Sequence, residues 1–77
     1  MPELRMYFIP TCPFCLKVID YIGANGISVD LRDINDDSNA SDLVDIGGKR
    51  QVPCLLIDGK PLYESDDIIE WFKSNKA

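Results

Sequence analysis

Thr11-Cys12-Pro13-Phe14-Cys15 follows an apolar run (Leu4, Met6, Tyr7, Phe8, Ile9) and precedes a helical pattern. Two cysteines separated by two residues at a helix start can form and break a disulfide with little backbone movement. Near a βαβ pattern in a reduced setting, this spacing reads as a redox motif. The competing readings are two structural cysteines or half of a metal site. Position at a strand-to-helix junction favours the redox reading.

Around the motif, residues 3–9 read as a strand, with Leu4, Met6 and Phe8 on one face and Tyr7 and Ile9 on the other. Apolar residues on both faces predict a central strand covered on both sides. From Pro13 to about Ala24 the period becomes helical, with Cys15, Val18, Ile19 and Ile22 at i, i+3, i+4 and i+7. Pro13 suits the first helical position, where its missing N–H costs nothing, and that places Cys12 at the N-cap. Asn25-Gly26 ends the helix. Ile27 to Ile34 alternates and predicts a half-buried strand at a sheet edge, with Ile27, Val29 and Leu31 on the apolar side.

Asn35-Asp36-Asp37-Ser38 supplies a cap for a weak helix to about Ile46, with Ala40, Leu43 and Val44 inward and Gly47-Gly48 as its stop. The acidic cluster Asp30, Asp33, Asp36, Asp37, Asp42 and Asp45 reads as a solvated face. After Val52-Pro53 comes a short apolar strand, Cys54-Leu55-Leu56-Ile57. Asp58-Gly59 is a hairpin turn and Lys60-Pro61-Leu62-Tyr63 the return strand. Its proline confines it to an edge or a strand start. Taken by its residues alone, Val52-Pro53 predicts an ordinary trans edge proline; a cis bond in a tight turn is the other option. Ser65 is expected to cap a last helix through about Ser74, with Asp66 and Asp67 at its positive end. Ile68, Ile69 and Phe72 point to the core and Trp71 is partly covered. The order β-α-β-α-β-β-α predicts an α/β fold with a four-stranded mixed sheet flanked by three helices, as a single domain over residues 1–77. Its first βαβ unit is expected to be parallel.

Composition narrows the function. Seventy-seven residues make one small domain, which buries about 60% of the surface its unfolded chain exposes. A net charge of −5 argues against nucleic acid as main partner. There is no apolar run of membrane-spanning length and the first residues lack a signal peptide's pattern, so the expectation is a cytoplasmic protein with no membrane partner. Three cysteines give one working pair and one free thiol, and the absence of histidine removes Cys-His proteases and His-ligated zinc. No metal site is expected.

A thiolate, not a thiol, is the nucleophile. Cys12 lies where free N–H groups and the positive end of the first helix converge, so its pKa is expected to be depressed, with a smaller contribution from Lys17. Cys15 falls on the inward apolar face and should be less acidic. Cys12 is therefore the attacking thiol and Cys15 the resolving one. Cys54 reads as a small buried strand residue; a secondary redox-sensitive thiol is the sharper alternative.

Cys12-Pro13-Phe14-Cys15, Val52-Pro53 and Glu64-Ser65-Asp66-Asp67, in that order and spacing, resemble a dithiol glutaredoxin. The stretch from Gly47 to Ile69 is also similar to the N-terminal domain of glutathione transferases. The resemblance covers essentially the whole chain. It implies a thioredoxin fold, with Pro53 cis and facing the cysteine pair. It also implies a glutathione site made by Phe14, Arg50, Gln51, Val52, Pro53, Glu64, Ser65 and Asp66. The backbone of Val52 would pair with the cysteinyl part as an added strand. Ser65 and Asp66 would hold the γ-glutamyl end, and Lys49 or Arg50 the glycyl carboxylate. By residue type alone Ser65 is equally a helix cap and Arg50 equally a solvated loop residue.

Three features depart from the glutaredoxin pattern. Ile9 stands where a lysine three residues before the first cysteine is usual, Gln51 replaces a threonine, and the chain ends at Ala77, before a transferase's helical domain. A full transferase is not expected. The implied function is a monomeric glutathione-dependent thiol–disulfide oxidoreductase. It would act on glutathionylated or disulfide-containing proteins, with no permanently bound cofactor and glutathione as co-substrate. The alternatives are a thioredoxin-like electron donor fed by a flavoprotein reductase, and a [2Fe–2S] carrier ligated by Cys12 and glutathione. Pro13, by resemblance to dithiol members, disfavours the carrier.

Overall fold

The computed structural model describes residues 3–75. They form β1 (Leu4–Phe8), α1 (Pro13–Ala24), β2 (Asp30–Asp33), α2 (Asp37–Gly47), β3 (Cys54–Ile57), β4 (Lys60–Tyr63) and α3 (Ser65–Ser74). The sheet order is β2-β1-β3-β4. β1 runs parallel to β2, with Met6 beside Leu31, and antiparallel to β3, with Met6 beside Leu55. β3 and β4 form the expected hairpin. Its two turn residues, Asp58 and Gly59, have φ of 50° and 84°, the positive pair that a type I′ turn requires. This is the four-stranded mixed sheet with three helices of a thioredoxin-like fold.

Strand alternation divides the core in two, because successive side chains leave opposite faces. Leu4, Met6 and Leu55 meet Val18, Ile22, Ile68 and Phe72 on the face covered by α1 and α3. Tyr7, Cys54 and Leu56 meet Ile34 and Leu43 on the face covered by α2. β1 is therefore central and covered on both sides, as its two apolar faces predicted. Phe72 also stacks on Tyr21, 6.2 Å between ring centroids, which ties α3 to α1.

Two burial expectations are corrected. β2 spans four residues rather than eight, and Leu31 is 40% exposed. As an edge strand, β2 packs mainly on β1 and α2. Leu31 lies on the side away from α2, where little covers it. Ile27 and Val29 reach the α1–α3 core from the segment before the strand. In α2 only Leu43 is buried, and Val44 is 43% exposed rather than inward. Val44 lies about 100° round the helix from Leu43, and a lone helix against one side of a sheet buries only a narrow stripe.

The helix ends follow their chemistry. Cys12 is the N-cap of α1, Pro13 occupies its first turn and Asn25 is the C-cap. The Asp36 carboxylate accepts the Ser38 N–H at 2.9 Å and caps α2. Gly48, at φ 80°, closes α2 by donating to the Val44 carbonyl at 2.9 Å. Gly47 answers a different need, since a Cβ there would lie 2.1 Å from the Tyr63 hydroxyl. The cap expected at Ser65 is corrected: Glu64, at φ 73°, is the N-cap of α3, and Ser65 is its first, buried residue. The Val52–Pro53 bond is cis. That overturns the trans reading taken from the residues alone and agrees with the one implied by the resemblance.

Candidate active site

The β1–α1 turn sets the geometry of the cysteine pair. The Cys12 N–H donates to the Ile9 carbonyl at 3.0 Å, and the Cys12 carbonyl accepts from the Leu16 N–H at 3.0 Å. These bonds hold Cys12 extended at the mouth of the helix, half-buried, while Cys15, one turn on, is fully buried. Both thiols are free.

This placement separates their acidity. Burial pushes the Cys12 thiol up, but hydrogen bonds from the Cys15 N–H, the Cys15 thiol and the Phe14 N–H outweigh it, and the net pKa lies below the ordinary 9.0. Burial dominates at Cys15 and pushes it up to about 11, against a lowering bond from the Ile9 backbone. The neighbouring Cys12 raises it further. The pair thus has one thiol shifted toward the anion and one held as a thiol. Lys17 does not have the role expected of it: its ammonium bonds the Asp66 carboxylate and is not among the groups that lower the Cys12 pKa. Alkylation by iodoacetamide checks the assignment. The Cys12 rate should rise with pH to a midpoint below 9.0; in the Cys12→Ser variant, Cys15 should react only above 9.0.

Two further segments complete the site. The β3 approach brings Gln51, Val52 and cis-Pro53 forward, and the start of α3 brings Glu64, Ser65 and Asp66. Together with Phe14 they line a cleft of about 310 Å³. Gln51 donates through Nε2 to Glu64 Oε1 at 3.0 Å across this cleft. Phe14 is 63% exposed and forms an apolar wall. Of the eight residues expected to contact glutathione, seven line the cleft; Arg50 is exposed and outside that lining. Lys49 turns instead over the Tyr63 ring, 4.3 Å from its centroid. Cys54, the first residue of β3 and paired with Tyr63 of β4, is fully buried on the α2 face, its pKa pushed up by burial against a lowering hydrogen bond from Tyr63. The bland reading of Cys54 as a buried strand residue therefore fits.

Missed from the sequence was Lys17 as the partner of Asp66. They are 49 positions apart, and no local pattern pairs them.

Residues 6–77 match the family model described as glutathione S-transferase, N-terminal domain. The chain belongs to that family. Among curated relatives of this glutathione S-transferase N-terminal domain is a hybrid peroxiredoxin of Haemophilus influenzae, 30% identical over 70 residues. The match takes in 91% of the chain and 29% of the peroxiredoxin. A probable glutaredoxin of Synechocystis is 28% identical over 68 residues, 86% of the chain and 77% of that protein. The crystal structure of glutathione transferase Omega 3C from Trametes versicolor superposes with a TM-score of 0.83 at 26% identity. That superposition covers 96% of the chain and 32% of the transferase. The chain thus spans under a third of the peroxiredoxin and of the transferase, and about three quarters of the glutaredoxin.

Proposed function

We propose that the domain is a glutathione-dependent thiol–disulfide oxidoreductase working through Cys12 and Cys15. The observation that carries this reading is the division of the pair: a half-buried, acidified Cys12 at a helix N-terminus, and a buried Cys15 held protonated one turn behind it. The family match and the glutaredoxin relative support the glutathione-related class.

In reducing a glutathione mixed disulfide, the Cys12 thiolate attacks the glutathione sulfur. The Cys12–glutathione bond forms as the old disulfide breaks, and the substrate thiolate leaves and takes up a proton. A second glutathione thiolate then attacks the bound glutathione sulfur, releasing oxidised glutathione and restoring the Cys12 thiolate. With a protein disulfide, Cys12 forms a mixed disulfide with the protein. Cys15 loses its proton, attacks Cys12 Sγ and expels the second protein thiol, leaving an internal disulfide for glutathione to reduce. The cleft supports a tripeptide in three places: strand-like pairing with the backbone of Val52, the N-terminus of α3 for a carboxylate, and Asp66 for an ammonium.

Turnover of a glutathionylated peptide tests the reading. NADPH consumption is followed with glutathione and glutathione reductase, and separately with a thioredoxin reductase. Activity in the first system alone is expected. Activity in the second alone would establish a reductase-fed donor and sink the glutathione reading.

A further inference from the structure

Lys17 does not itself line the cleft, but it bonds a residue that does, Asp66, and the reaction above gives it no task. It lies on α1, five residues past Cys12, yet its ammonium reaches across to α3 and donates to Asp66 Oδ1. Its side chain is 54% exposed and that of Asp66 is 82% exposed. An open lysine–aspartate pair of this kind contributes little to stability, so the fold does not require it. The bond uses one of three ammonium hydrogens and one of two carboxylate oxygens. Both groups keep bonding capacity directed to solvent.

The surroundings select what that capacity fits. The other carboxylate lining the cleft, Glu64, is engaged by Gln51. No basic side chain lines the cleft. Among the described residues, Lys17–Asp66 is the ion pair that touches it. The pair also stands at the first turn of α3, where unpaired backbone N–H groups favour a carboxylate. A group carrying both an ammonium and a carboxylate on one carbon is the electrical complement of this arrangement.

On the reading that the cleft takes glutathione, we infer that Lys17 and Asp66 act together as a clamp for the zwitterionic head of the γ-glutamyl residue. Asp66 accepts from the α-ammonium, and Lys17 donates to the α-carboxylate beside the α3 backbone. Lys17 is thus a specificity residue that makes the domain choose thiols with a free α-amino-acid head over those with a plain acyl or amine end. The opposing possibility has the opposite sign: a Lys17 that only neutralises Asp66 would compete with the ligand's ammonium, and its removal would tighten binding.

Steady-state reduction of three mixed disulfides of 2-mercaptoethanol separates these. One carries glutathione, one the analogue lacking the α-carboxylate (4-aminobutyryl-cysteinylglycine) and one the analogue lacking the α-ammonium (glutaryl-cysteinylglycine). With Lys17→Met, KM for the first and third should rise about fivefold at low salt, the size of one exposed charge contact, and the difference should shrink as salt is added. The rise should fall on KM rather than kcat, and Lys17→Arg should restore it. The 4-aminobutyryl substrate should not distinguish Lys17→Met from wild type. Asp66→Asn should show the complementary pattern, weakening the first and second substrates but not the third. An unchanged or lowered KM for glutathione in Lys17→Met overturns the clamp. Failure of the underlying reading looks different: wild type would then handle all three head groups alike, and Asp66→Asn would change none of them. The wild-type comparison of head groups tests the clamp even if a variant folds poorly, since equal KM for glutathione and the 4-aminobutyryl analogue also overturns it.

Discussion

Cys12→Ser is expected to reduce turnover of glutathione mixed disulfides to the uncatalysed rate, a loss of about a thousandfold or more, because serine at this position supplies no anion near neutral pH. Cys15→Ser should behave differently. It leaves Cys12 at the α1 N-terminus with the Phe14 and Cys15 backbone donors, two of the interactions that lower its pKa. Reduction of glutathione mixed disulfides should therefore persist in this variant. Reduction of protein disulfides should stop at the mixed disulfide, which mass spectrometry would detect as a covalent adduct on Cys12. A Cys12→Ser enzyme that still turned over while Cys15→Ser did not would reverse the roles of the two thiols. Burial makes that reversal physically costly, since Cys15 is fully enclosed and its pKa stands at about 11.

The second large effect is on stability. Ile68→Ala should destabilise the domain by about 2–5 kcal/mol, the range for truncating an enclosed aliphatic side chain. Ile68 is completely buried against Leu4, Met6, Val18, Leu55 and Phe72. A chain of 77 residues has a total stability of only about 4–12 kcal/mol, so this one change removes a large share. Ile68→Val should cost about 0.5–1.5 kcal/mol. Urea unfolding followed by the fluorescence of Trp71 would measure both. A loss under about 1 kcal/mol for the alanine variant would show that the α1–α3 core collapses around the gap. Ile68 lies in the same helix as Ser65 and Asp66, and its side chain packs that helix onto the core; its backbone bond to the Glu64 carbonyl at 3.0 Å is kept in both variants.

What the sequence reveals divides along a physical line. Features set within a few residues are legible: Pro13 and Asn25-Gly26 bound α1 as expected, Asp58-Gly59 makes its hairpin, and the doubly apolar β1 is central. Features set by which element covers which are not. Leu31 and Val44 have the right periodicity for burial but no layer over them. Ser65 has the chemistry of a cap, yet the chain turns one residue earlier, at Glu64. The isomer of Val52–Pro53 is undetermined by its neighbours and became legible only through resemblance to a family. The cysteine pair was readable because spacing alone creates it. The Lys17–Asp66 bond was not, because it exists only once α1 and α3 are packed together.

The order β2-β1-β3-β4 leaves two strands with a free side, and free strand sides invite a second chain to add itself to the sheet. Both are poor templates here. β4 carries Lys60 and Pro61, and the proline offers no N–H to an incoming strand. β2 has only four residues, and Asp30 and Arg32 are locked together along it at 2.8 Å. An approaching strand would meet charge on one border and a missing donor on the other. By being short and charged, β2 thus guards its border of the sheet against edge-to-edge aggregation.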